Sequence, residues 1–180
     1  MVAQQVVVVP HDSGWLSAFA HARDEVAGVL GGNLVVLHHI GSTSVPGIYA
    51  KPIIDMMAEV KDLADVDACD AQMESLGYVV RGELGIPGRR FFFRNDASGK
   101  RTHQIHAFLS GSPHVGCHLA FRDYLRAHPE VAAGYSELKR RVAAANPDDI
   151  EAYMDGTDEF IKDVEAQAVA WAAGGNASTQ

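Results

Sequence analysis

No stretch of this sequence stays apolar for the roughly 20 residues that a membrane-spanning helix needs, so no such span is expected. Cysteine is scarce. Cys69 and Cys117 stand far apart and form no CxxC pair, which leaves no basis for a disulfide framework. Both fall inside helical patterns, where a cysteine serves as a small buried hydrophobe. Positive charge is in the minority, with 15 Lys and Arg against 23 Asp and Glu and a net charge of −8. That balance argues against a general nucleic-acid binder, whose footprint is a basic surface. The opening apolar patch covers only Val6 to Val9, without a basic flank or a small-residue cleavage site. No signal peptide is expected, and the expected compartment is the cytoplasm.

What remains has the composition of a globular chain: 180 residues, 47% hydrophobic and 21% charged, enough to bury a real core. One domain over 1–174 is expected, with a disordered tail at 175–180. The basic residues are unevenly spread, since Arg81, Arg89, Arg90, Arg94, Lys100 and Arg101 fall within 21 positions. A cationic strip on an acidic chain suits a small anionic ligand better than a long polyanion.

Helical spacing of Trp15, Phe19, Ala22, Val26 and Leu30 predicts a helix over 13–30, closed by Gly31-Gly32. The β-branched run 34–40 predicts a buried strand, and 52–60 a second. A helix over 63–76 follows, closed by Gly77. Short strands are then expected at 78–81, 90–94 and 102–109, separated by turns at 85–88 and 95–100. Helices are expected near 116–127, 130–145 and 148–172, with Pro129 and Pro147 near the boundaries and a break at Gly156. The order of elements predicts an α+β fold: a mixed sheet with helices packed on it and a helical C-terminal region. There are no internal repeats.

The chemistry concentrates between His38 and Asp55. Gly41 follows a strand end and lets backbone N–H groups approach a ligand closely, while Ser42, Thr43 and Ser44 add hydroxyls, so the turn can cradle a phosphate. Alone, Gly-Ser-Thr is also ordinary turn chemistry. Asp55 changes the weighing, because a carboxylate inside an apolar strand is costly without a partner or a metal. The competing reading is a structural ion pair, with Lys51 or one of the arginines. Period two sets Asp55, Met57 and Glu59 on one strand face, and Gln104, His106 and Phe108 together on a later strand. A single His106 beside Asp55 can serve as metal ligand, phosphate donor or general base, or as a plain hydrogen-bonded sheet histidine. Arg90 and Arg94 share a strand face, and their guanidinium groups suit a phosphate. One of His38 and His39 is expected to point into the site. Lys139 lies on a C-terminal helix, where a solvated face is the simpler expectation.

These residues form a recognisable series. His39-Ile40-Gly41-Ser42-Thr43-Ser44-Val45-Pro46-Gly47 is followed by Lys51-Pro52-Ile53-Ile54-Asp55 and then by Glu83-Leu84-Gly85-Ile86-Pro87-Gly88-Arg89-Arg90. Arg101-Thr102-His103, Ile105-His106 and His118-Leu119-Ala120-Phe121-Arg122-Asp123-Tyr124-Leu125 complete it. From Val8 to Ala172 the chain resembles the GrpB family. The resemblance implies a minimal nucleotidyltransferase-type fold, in which a Gly-Ser turn binds nucleotide phosphates and paired acids on the next strand hold divalent metal. Gly41, Ser42 and Asp55 match that pattern. Met57 stands where the second acid belongs, and His106 is offered on the strand where a third is expected, which weakens a two-metal mechanism.

The expectation is therefore a nucleotidyltransferase-like enzyme acting on a nucleoside triphosphate and a small acceptor. Asp55 and His106 would be catalytic and hold Mg²⁺ or another divalent metal. Gly41, Ser42, Thr43, Lys51, Arg90 and Arg94 would bind phosphate. The alternatives are a non-catalytic nucleotide or small-anion binding protein, and a different enzyme on this fold acting on a small anionic metabolite. The expected partner is a small molecule, with neither nucleic acid nor membrane.

Overall fold

In the computed structural model, which describes residues 5–176, the chain divides into two compact units. Residues 13–44 and 53–115 form a sheet unit; residues 5–12, 45–52 and 116–176 form a helical unit. Of the expected tail, 177–180 lie outside the described residues.

The sheet unit opens with α1 (Gly14–Leu30), whose Trp15, Phe19, Ala22, Val26 and Leu30 are all buried, as the helical spacing requires. Strands β1 (Leu34–Ile40) and β2 (Ile54–Val60) pair antiparallel. The helix expected over 63–76 is two short ones, α2 (Leu63–Asp67) and α3 (Asp70–Ser75), because Cys69 leaves helical geometry at φ −94°, ψ 2°. Asp62 starts α2 by accepting hydrogen bonds from the Ala64 and Asp65 N–H groups. Strands β3 (Val79–Val80), β4 (Arg90–Asn95) and β5 (Arg101–Leu109) complete a five-stranded sheet in the order β1-β2-β5-β4-β3. Only β2 and β5 run parallel.

That pairing sorts the side chains. Asp55 lies opposite Gln104, Met57 opposite His106, and His106 opposite Phe91, so these share one face with Phe93, Glu59 and His38. The other face carries His39, Met56, Phe92, Arg94, His103 and Ile105. Helix α1 covers that second face: the Phe19 ring stacks on His39 with centroids 4.7 Å apart, and Arg94 reaches Glu25 at 3.1 Å. Asp55 is thus presented by the face that α1 leaves uncovered.

The helical unit contains α4 (Pro113–Ala127) from Gly116 onward, α5 (Pro129–Ala145) and α6 (Ile150–Trp171). Its core joins Val45 and Ile48 to Leu125, Tyr135, Val164 and Ala168. The break expected at Gly156 does not occur, and α6 runs through it. Glycine is there for contact: a Cβ at position 156 would stand 2.6 Å from Val142 Cγ1 and 3.2 Å from Cγ2 on α5. No helix among the described residues is long and apolar enough to cross a membrane.

Replacing Gly156 by Ala gains about 1 kcal/mol of helix propensity. It also overpacks against a stiff β-branched neighbour, at about 1–3 kcal/mol. The expected net outcome is a lower thermal midpoint. Combined with Val142→Ala, the loss measured by denaturant unfolding should be smaller than the sum of the two single losses.

Candidate functional site

Asp55 enters the site at the N-terminal end of β2, and the chain passes directly over it at Gly41. Gly41 has φ +71°, and a Cβ there would stand 2.8 Å from Asp55 Oδ2, 3.0 Å from its Cβ and 3.3 Å from its Cγ. Glycine is required twice, for the left-handed backbone and for this close approach. The turn and the carboxylate are one packed object.

Across the parallel ladder, the Gln104 amide nitrogen donates to Asp55 Oδ1 at 2.9 Å, and its carbonyl accepts from Arg101 Nη1 at 3.1 Å. Arg101 lies flat over Phe93, 3.6 Å from the ring centroid, and its Nε donates to Asn95 Oδ1. Burial lowers the Arg101 pKa and the Asp55 charge opposes that shift, while Arg81 adds to it. A guanidinium starts so far above neutrality that Arg101 stays cationic all the same. The result is a chain from guanidinium through carboxamide to carboxylate.

His106 lies one pleat further along the same face, tilted against Phe91 with centroids 5.1 Å apart. Its Nδ1 is 3.4 Å from Arg89 Nη1. Arginine has no acceptor, so Nδ1 accepts and the ring proton sits on Nε2. Arg89 is itself buried, packed over Phe91 at 5.0 Å, and donates to the carbonyls of Glu83 and Leu84 at 3.2 and 2.8 Å. It holds the 83–88 loop against His106; Leu84 in that loop has a left-handed φ of 42°.

The structure redistributes the expected contacts. Ser42 is half-buried at the turn beside Asp55. Thr43 is not presented: it is 3% exposed, donates to the Ile53 carbonyl at 3.1 Å and bonds His39 Nε2 at 2.9 Å. Arg90 and Arg94 do share a face, but it is the opposite one. Arg90 is forked onto Asp67, with Nη2 to Oδ2 at 2.9 Å, and Arg94 is engaged by Glu25, the Leu76 carbonyl and His103. Arg101 and Arg89 are the arginines on the Asp55 face. Even spacing paired the right residues on a face, but only the strand register says which face that is. Lys51 belongs to the helical unit, its Nζ 5.4 Å from the centre of the Tyr153 ring. His38 does share the Asp55 face, yet it pairs with Glu59 at 2.7 Å, and Glu59 also accepts from Ser110 Oγ at 3.0 Å.

This bears on a metal. The carboxylate beside the turn is Asp55; Met57 is fully buried, Gln104 holds the adjacent β5 position and Glu59 is committed to His38 and Ser110. Among the described residues no three His, Cys, Asp or Glu side chains converge as metal ligands. A two-ion centre does not fit this donor set. One magnesium ion held by a single carboxylate and by substrate phosphates does.

A family model described as GrpB protein matches residues 5–167. The chain belongs to the GrpB family. UPF0157 protein YqkA of Bacillus subtilis is 43% identical over 173 residues, which is 96% of this chain and 50% of that protein. The chain therefore spans about half the length of that GrpB-family relative. The crystal structure of conserved protein GrpB from Enterococcus faecalis superposes with a TM-score of 0.87 at 38% identity, covering 91% of this chain and 98% of that one. Cid1, in complex with its short product ApU, matches with a TM-score of 0.51 at 10% identity over 72% of this chain and 41% of its own. That second likeness is one of fold: the GrpB chain carries an α+β, nucleotidyltransferase-like architecture.

Two outcomes follow from the geometry. Gly41→Ala should lose about 1–2 kcal/mol for its left-handed backbone and more for the Asp55 contact. Gly47→Ala, at φ +80° with nothing near its Cβ, is expected to lose only the first part; urea unfolding compares them. On the opposite face, burial first and the Arg94 charge second lower the His103 pKa to about 4, against a small opposing pull from Glu25. The unfolded chain takes up this proton near 6.5 and the fold does not. Stability should therefore fall as pH drops from about 6.5 toward 4, and His103→Gln should flatten that slope.

Proposed function

We propose that this GrpB-family chain is a nucleotidyltransferase-like enzyme that takes a nucleoside triphosphate at the Asp55 face and transfers its nucleotidyl group to a small acceptor, with pyrophosphate as the leaving group. The observation that carries the reading is the contact between Gly41 and Asp55. It fixes a carboxylate directly under a Gly-Ser turn, on the face turned away from α1 of a sheet whose fold is nucleotidyltransferase-like.

In this reading Ser42 donates its hydroxyl to a phosphate oxygen. Arg101 supplies positive charge beside Asp55 and neutralises charge that develops on the phosphates. Gln104 orients the carboxylate, leaving Oδ2 on the Gly41 side. Asp55 would hold one divalent ion, whose contribution when bound is to polarise the phosphoryl oxygens it shares. His106, with its proton on Nε2, acts as a hydrogen-bond donor to the ligand. Arg89 acts through His106 and the 83–88 loop and does not touch substrate.

A second reading is a nucleotide-binding protein without turnover. Met57 and His106 favour it, since Met57 stands where the second acid belongs and His106 is offered on the strand where a third is expected.

Calorimetric titration with ATP, GTP and CTP in the presence of Mg²⁺ separates the possibilities. The expected result is saturable binding to one of them, weakened about ten-fold or more by Asp55→Asn and by Arg101→Met, which is 1.4 kcal/mol or more. Pyrophosphate release on adding acceptors supports the enzyme; binding without release over long incubation supports the second reading. Binding of none of the three, or binding indifferent to Asp55→Asn, sinks both.

A further inference from the structure

From Gly82 to Gly88 the backbone enters the left-handed region four times. Three of those positions are glycine, with φ +57° at Gly82, +81° at Gly85 and +79° at Gly88. The fourth is Leu84 at φ 42°, and among the described residues it is the one non-glycine residue held there. In that conformation the Cβ of an L residue crowds the following carbonyl, which is why glycine is the usual occupant. Arg89 explains the conformation. Its guanidinium is buried, and among the described residues it is answered by carbonyls and an imidazole, not by a carboxylate. A buried cation needs acceptors around it, and the turn at Leu84 brings that residue's carbonyl onto Nη2 at 2.8 Å. Glycine would present the same carbonyl without strain, so the carbonyl does not account for the side chain. Packing recovers little either, since Leu84 is 48% exposed. Strain of this kind is kept where a ligand is clamped.

The other arm of the Arg89 guanidinium, Nη1, is 3.4 Å from His106 Nδ1. One group therefore fixes Leu84 and His106 beside each other at the edge of the Asp55 face, within the sheet unit. Strand β4 begins at Arg90 opposite Ala107, three residues along β5 from Gln104, the partner of Asp55. At about 3.3 Å per residue that offset is about 10 Å along the strand.

We propose that Leu84 is a specificity-determining residue, an apolar wall for the base of the nucleotide whose phosphates lie at Gly41, Ser42 and Asp55. The inference rests on the Asp55 reading and deepens it. A ribose separates a base from its phosphates, a span that suits the offset between Asp55 and the loop, whereas the acceptor has to meet the phosphorus beside Asp55. A flat ring laid on Leu84 removes apolar surface from water on both partners, a gain that offsets the backbone strain. Leu84 then favours nucleotides over bare polyphosphate.

Inorganic tripolyphosphate tests this, because it carries the phosphates without ribose or base. Calorimetry on the full chain with Mg²⁺ compares it with whichever of ATP, GTP and CTP the wild-type chain takes. Leu84→Asn is the deciding variant, since asparagine tolerates left-handed backbone and offers no apolar wall. It should weaken nucleotide binding about ten-fold, leave tripolyphosphate binding within about two-fold, and hold or raise the thermal midpoint. Leu84→Met, which keeps the apolar surface, should bind the nucleotide nearly as wild type does. Asp55→Asn, by contrast, should weaken both ligands alike. Unchanged nucleotide affinity in Leu84→Asn, an equal loss for tripolyphosphate, or a lower thermal midpoint that marks Leu84 as a packing residue would overturn the proposal. Wild-type binding of neither ligand, or binding of both that is indifferent to Asp55→Asn, strikes the Asp55 reading and this inference with it.

Discussion

The sheet unit is organised around a carboxylate that has to be kept charged against packed backbone. Asp55 sits between Ile40 and Gln104 on a largely apolar strand, with the Gly41 turn pressed on it. Asp55 is half-buried, and a carboxylate so placed must recover its lost hydration from donors. Gln104 donates, Arg101 fixes Gln104, and Phe93 gives Arg101 a flat surface to lie on. Each of these residues has a role only because the one before it does. The same chain explains why the turn is glycine and why the hydroxyls of Thr43 and Ser44 face inward to His39 and to the Gly41 carbonyl. They hold the turn down; they are not part of what it offers.

On the reverse face, arginines do different work. Arg90 and Arg94 tie β4 to Asp67 and to Glu25, fastening helices to the sheet. Alternation, together with the register shift between Arg94 and Asn95, thus divides one basic run between two functions. Arg89 and Arg101 go to the Asp55 side and Arg90 and Arg94 to the side that α1 packs on. A guanidinium that already has a carboxylate partner contributes little attraction to a passing phosphate, so only the first pair shapes the field of the site.

Much of the fold was readable from local pattern. Strand β1 begins and ends where the β-branched run does, and the three C-terminal helices begin and end within a few residues of their expected limits. The importance of Gly41 and Asp55 was also visible, because a charge in an apolar strand and a glycine at a strand end are local facts. What local pattern lacks is register. It could pair Arg90 with Arg94 but not choose their face, and it could not place Gln104, rather than His106, opposite Asp55. That pairing is made across a parallel crossover and is encoded in no short window. Gly156 misled for a related reason: its meaning lies in Val142 on another helix. Lys139 misled because a lysine on a helix is ordinarily solvated, and only packing shows this one buried.

The parallel pairing of β2 with β5 has a consequence for how the site comes into being. Strands β4 and β5 are neighbours in sequence and can form a hairpin early, and β1 with β2 is also a nearby pair. Either can form with Asp55 and Gln104 still apart. The two meet only when the two hairpins dock along the central ladder, which closes the longest loop in the sheet and carries its entropy. Until that moment Asp55 is an isolated acid on an unpaired strand edge. The chemistry of the site is therefore a late property of folding, and its integrity reports directly on whether the centre of the sheet is closed.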